Sequence, residues 1–167
     1  MKFFSANIED LRALYTNSLQ KALDMEQKIV KALPTMIEKS TDPDLATAFR
    51  THLEQTKGHV TKVESLLRKA TGEDNSTTCK AISSLITEAE DNIKDAQDAS
   101  VRDVTLIASG QQVEHHEIAV YGTLRTWAGI LGERNDAAVL ESILKEEEHA
   151  DHLLTQISER VNIQAAA

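Results

Sequence analysis

Glutamates and histidines that fall where apolar side chains belong are the residues of this chain with the most chemistry to offer. Helical spacing returns every third or fourth residue to one face, and four stretches carry such a stripe with polar interruptions. In the first, Leu11, Tyr15, Leu19 and Ala22 lead to Glu26, and the stripe resumes at Ile29 or Val30, Leu33 and Ile37. In the second, Leu45 and Phe49 precede His52, Thr56 and His59, and Val63 and Leu66 follow, all within a narrow arc at about 100° per residue. The third runs Val104, Ile107, Gln111, Glu114, Ile118, Tyr121 and Leu124, with Glu117 and His115 on opposite flanks. The last runs Leu140, Ile143, Glu147, Ala150, Leu154, Ile157 and Val161, with Asp151 on the flank.

Each interruption lies near the middle of its stretch, so an antiparallel bundle would bring them to one height. Carboxylates gathered in a dry core repel one another and forfeit hydration unless they are protonated, paired with cations or bound to metal. Lys and Arg are nearly absent from the stripes, the main candidate being Arg125, about two turns away. A metal is the simplest counter-charge. Carboxylates with one or two imidazoles suit iron or manganese, and the lack of thiolates argues against structural zinc or an iron–sulfur cluster. His115, His116, His149 and His152 read as surface histidines. The string Glu146-x-x-His149 matches a ligand pattern of di-iron bundles, but both residues lie off the stripe, so Glu147 is preferred. Tyr15, Tyr121 and Trp127 read as packing residues, with a hydrogen bond or a radical as the alternative role for a tyrosine near a metal. Gly58 and Gly110 sit inside helices at a cost of about 1 kcal/mol each relative to Ala, which close helix approach or room beside a site would explain. No Ser-His-Asp order, phosphate loop or dinucleotide fingerprint is present.

The elements that must position these residues are delimited by scarce breakers, since the 167 residues include only 6 Gly and 2 Pro. Long helices are expected over about 8–40, 43–71, 101–131 and 136–162, with a shorter one over about 80–96. Asn7, Asp42, a box of Ser100 with Asp103, and Asn135 or Asp136 are the expected N-caps; Pro43 opens the second helix and Gly72 closes it. Pro34 should bend the first near its end. Two long helices, a crossover bearing a short one, and two more long helices is the connectivity of a ferritin-like antiparallel four-helix bundle, here a single domain over 1–167. A net charge of −9 and a pI near 5.1 disfavour nucleic acid and anionic membrane surfaces as partners. The single Cys79 excludes an intramolecular disulfide, and there is neither a signal-peptide pattern nor an apolar run near the roughly 20 residues of a membrane span. A cytoplasmic protein is expected.

The segment VEHHEIAVYGTLR, from Val113 to Arg125, resembles a signature of the YciF/YciE-type bacterial stress proteins, a ferritin-like family related to rubrerythrin. Leu14-Tyr15, Met25-Glu26-Gln27, Ala32-Leu33-Pro34, HLEQT from His52, Val101-Arg102-Asp103 and Glu146-Glu147 with Asp151 extend the resemblance over nearly the whole chain. It implies a homodimer associated with stress and a dinuclear iron site. Glu26 then resembles the single glutamate of the first helix, Glu114 with Glu117 the paired glutamates of the third, and Glu147 the bridging glutamate of the fourth. The second helix departs from the ferritin pattern with Thr56-x-x-His59, for which His52 would compensate, and the fourth departs with Asp151 in place of a histidine. The implied ligand roles are Glu114 and Glu147 bridging, Glu26, Glu117 and Asp151 terminal, and His52 or His59 as nitrogen ligands. Oxidation of ferrous iron by peroxide or dioxygen is the expected chemistry. The alternative is a dimeric, non-enzymatic scaffold whose polar centre is satisfied by water and hydrogen bonds.

Overall fold

With so few breakers the chain folds into long, uninterrupted helices, seen in a computed structural model that describes residues 8–167. Among the described residues there are α1 (Leu11–Lys39), α2 (Pro43–Thr71), α3 (Lys80–Asp95), α4 (Ala99–Ile130) and α5 (Arg134–Ala165), and no strand. Short links fold α1 back on α2 and α4 back on α5. The two pairs then meet through α2 against α5 and α1 against α4, while α3 lies over α4 and α1. The fold is all-helical. Among the described residues no helix is long and apolar enough to cross a membrane.

Helix ends follow local chemistry, with instructive departures from the sequence pattern. Asp42 caps α2 by accepting from the amides of Asp44 and Leu45, Pro43 occupies the first turn, and Gly72 ends the helix at φ +81°. Asn7 lies outside the described residues, and Asp10 caps α1 by accepting from the Ala13 amide at 2.7 Å. The cap of α4 is Asp98, not Ser100, because the Asp98 carboxylate takes the amides of Ser100 and Val101. Asp103 is thereby free for a different task. It accepts from the Thr41 amide and hydroxyl and from the Asp42 amide, pinning the α1–α2 link to the start of α4. At α5 the N-cap is Glu133 rather than Asn135 or Asp136, and it makes no side-chain capping bond. Asp136 instead lies in the first turn and accepts from Lys69 Nζ at 2.7 Å.

The core runs the length of the bundle, from Tyr15 and Leu140 through Phe49, Leu106 and Ile107 to Leu33 and Ile93. Its middle is polar.

Candidate metal centre

Of the interrupting residues, Glu26, His52, Thr56, His59, Glu114, Glu117 and Glu147 are all buried. Each helix delivers its share by periodicity: Glu26 one turn from Ala22 and Ile29 on α1, His52 and His59 two turns apart on α2, Glu114 and Glu117 in successive turns of α4, and Glu147 between Ile143 and Leu154 on α5. The phase of α4 differs from the sequence estimate. Glu117 is fully buried rather than flanking, and Gln111 and Ile118 are only partly covered. Because α4 packs against α1, α3 and α5, its apolar residues spread around much of the helix, and their arc no longer marks a single centre.

One ligand-type atom from each of His52, Glu114, Glu117 and Glu147 lies within 4.8 Å of the others, and the same holds for Glu26, His59 and Glu147. Glu147 belongs to both sets. His52 Nε2 stands 3.2 Å from Glu114 Oε1, and its Nδ1 stands 3.8 Å from Glu147 Oε2. His59 Nδ1 stands 2.9 Å from Glu147 Oε1 and 3.7 Å from Glu26 Oε2. None of these approaches has hydrogen-bond geometry, so both nitrogens of His52, Nδ1 of His59, and carboxylate oxygens of Glu26, Glu114, Glu117 and Glu147 have no protein hydrogen-bond partner. Such orphaned groups are uncommon in native interiors and each costs about 1–3 kcal/mol or more. A cation coordinated by these atoms would remove that cost, and the donors, oxygen and imidazole nitrogen only, fit a hard or borderline divalent metal. The residues present therefore fit iron or manganese.

Burial and mutual charge also shift the titration of these groups. Burial, reinforced by the charge of Glu147, holds the carboxyls of Glu114 and Glu117 well above the usual range, and burial likewise raises Glu26. Burial lowers the His52 pKa, with the Glu147 charge opposing it. At His59 burial also favours the neutral ring, but Glu147 and Glu26 at close range outweigh it and push the pKa up to about 10. Tyr121 donates a hydrogen bond to Glu26 Oε1, and burial together with the Glu26 charge keeps its phenol protonated.

A supporting layer escaped the sequence pattern. His59 Nε2 meets Glu146 Oε2 at 2.6 Å, and Glu146 Oε1 takes Lys62 Nζ at 3.3 Å. A carboxylate on the far nitrogen of a ligating histidine fixes its ring and tautomer. Glu146 thus faces α2 while its neighbour Glu147 faces the core, and His149, its partner in the Glu-x-x-His string, is exposed. Asp151 stands at the edge, with Oδ1 3.2 Å from His115 Nδ1, and joins neither set of convergent atoms. Thr56 uses its hydroxyl on the His52 carbonyl at 2.8 Å. His115 and His152 are exposed, while His116 is half-buried with Nε2 3.8 Å from Cys79 Sγ. Gly110 has a packing reason, since a Cβ there would meet Leu154 Cδ1 at 3.0 Å and Phe49 Cε1 at 3.4 Å; nothing lies within 4 Å of one at Gly58.

The family described as "Domain of unknown function (DUF892)" matches residues 10–167. The chain belongs to the DUF892 family. Protein YciF of Escherichia coli (strain K12) is 33% identical over 153 residues, spanning 91% of this chain and 92% of YciF. The crystal structure of that E. coli stress protein superposes on the DUF892 chain with a TM-score of 0.87, covering 92% of this chain and 97% of that one. A structure of YcfI from Rhodopseudomonas palustris gives 0.88 at 37% identity, over 92% of this chain and 98% of its own.

Proposed function

We propose that this chain is a ferritin-like four-helix bundle, with α3 as the crossover helix, that holds a dinuclear iron centre and serves the bacterial stress response. One observation carries the reading: two sets of buried, unpartnered donors share the single carboxylate of Glu147. In this arrangement Glu147 would be held in common by the two metals. His52, Glu114 and Glu117 complete one site, Glu26 and His59 the other. Glu114, in the first set, would be the second carboxylate shared between metals, and Asp151, whose buried Oδ1 has no hydrogen-bond partner, would be an outer ligand. Manganese would fit the same donors.

Bound iron would supply electrons for the reduction of peroxide or dioxygen. The protein's own contribution is to hold the ligands in place and keep the centre dry. Tyr121 keeps a proton directed at Glu26 Oε1, and Glu146 orients the His59 ring. The stress-protein description of the E. coli relative supports a protective role. A cytoplasmic homodimer is the matching assembly.

The test is elemental analysis of metal per chain after anaerobic ferrous loading and desalting, with Glu114→Ala alongside. About two metals per wild-type chain and few in the variant are expected. Full retention in Glu114→Ala would sink the ligand assignment, and no metal in either protein would leave the dimeric scaffold as the better account.

A further inference from the structure

Beside the His52–Glu114 side of the cluster, α1, α3 and α4 border a partly open cavity that admits water over about 50 Å³. Its lining is mostly apolar, with Ile29, Leu33, Met36, Ile86 and Val113 on the walls and Phe49 towards α2, and it also includes Thr35, Glu90 and Ser109. Its polar features include His52 and Glu114, both buried, with His52 Nδ1 and Nε2 and Glu114 Oε2 lacking hydrogen-bond partners. A second cavity of similar size reaches His52, Glu114 and Phe49 from the α2–α5 side, past Thr51, Gln55 and His149. The Phe49 ring lines both, and Gly110 leaves room for it, because a Cβ at that position would press on Phe49 and Leu154.

Apolar side chains supply most of the lining surface, so an uncharged guest gives up less hydration there than a hydrated cation does. Such a lining suits a small uncharged guest, since apolar cavities in proteins take up small apolar molecules such as xenon. We propose that the cavity between α1, α3 and α4 admits a small, uncharged, apolar molecule of the class of dioxygen to the His52–Glu114 face of the cluster. Its chemical consequence rests on the metal centre proposed above; its existence as a binding cavity does not.

The two are separated by a xenon titration of the metal-free protein, followed by methyl NMR. Saturable shifts confined to Ile29, Ile86 and Val113 are expected in the wild type. They should be lost in Ala89→Leu, which fills the cavity from α3, and in Ala32→Leu, which fills it from α1. The second variant serves if the first loses its helical circular dichroism. Absence of saturable shifts in the wild type, or equal shifts in a folded filled variant, would overturn the proposal. Ferrous loading of the same variants then gives an independent readout. Wild-type metal content with slowed reaction towards dioxygen is expected, whereas an unslowed reaction would overturn the route. If no protein binds iron, the metal reading falls and the xenon result alone decides the cavity.

Discussion

Asp42 and Asp103, where the α1–α2 link meets the start of α4, are buried like the glutamates at the centre of the bundle, but their surroundings are opposite. Asp103 accepts from two amides and a hydroxyl, and Asp42 accepts from two amides and from the guanidinium of Arg160. At the centre, Tyr121 donates to Glu26 Oε1, but Glu26 Oε2, Glu114 Oε2 and both oxygens of Glu117 and Glu147 have no protein donor. The first group is self-sufficient and holds the fold together. The second leaves buried oxygens that the chain itself does not satisfy, a cost that any donor or cation reaching them would remove.

The largest effects should come from breaking this contrast at each end. Asp103→Ala leaves three donors of the α1–α2 link without their acceptor and should cost about 3 kcal/mol, read from urea denaturation. An unchanged midpoint would mean that the clasp is incidental. Ferrous ion should act in the opposite direction at the centre, stabilising the wild type by about 2.7 kcal/mol at a hundredfold excess over its Kd. Glu147→Gln, altering the residue common to both sets, should abolish that shift, while Asp42→Asn should keep it. A thermal shift that survives in Glu147→Gln would place the metal elsewhere.

Glu117→Leu sharpens the comparison further, because replacing an uncompensated buried acid with an apolar side chain of similar volume should stabilise the metal-free protein by about 1–2 kcal/mol. The same change at Asp103 should destabilise. A loss of metal-free stability in Glu117→Leu would indicate that Glu117 has donors of its own. Glu146→Gln, which keeps size but weakens the support of His59, should lower metal affinity about tenfold and leave metal-free stability nearly unchanged.

How far the sequence revealed these two regions follows from what each is made of. The central cluster was legible because a single helical period places Glu26, His52, His59, Glu114 and Glu147 on faces that are otherwise apolar. Glu117 and the α4 phase were less so, since burial of that helix on several sides blurs the stripe from which a phase is read. Asp103 was misassigned as a capping partner because local spacing describes only neighbours in sequence, and its donors Thr41 and Asp42 lie about sixty residues away. Glu146 was hidden differently. It looks like part of an exposed acidic run until α2 brings His59 and Lys62 against it. Asp151 lies where the resemblance expects a ligand; its Oδ1 is buried without a hydrogen-bond partner, 3.2 Å from His115 Nδ1, but it joins neither set of convergent atoms.

The smallest effect is also the one whose pH dependence is set most directly. Hydrogen bonds from Arg160 hold the Asp42 carboxyl below its ordinary value of 3.8; burial opposes the shift and the amides of Leu45 and Asp44 add to it. A carboxyl whose pKa is lower in the folded than in the unfolded state binds fewer protons when folded. Its stabilisation is therefore present above the ordinary value and is lost as pH falls through the lower, folded one. Arg160 is substantially exposed and screened by solvent, so the contribution should be about 1 kcal/mol. Asp42→Asn should accordingly be less stable than the wild type by that amount at about pH 7, with the difference shrinking below about pH 4 as the wild-type carboxyl takes up its proton. Urea denaturation at the two pH values checks it. A difference independent of pH would assign the role of Asp42 to its capping geometry, which asparagine also provides, and not to its charge.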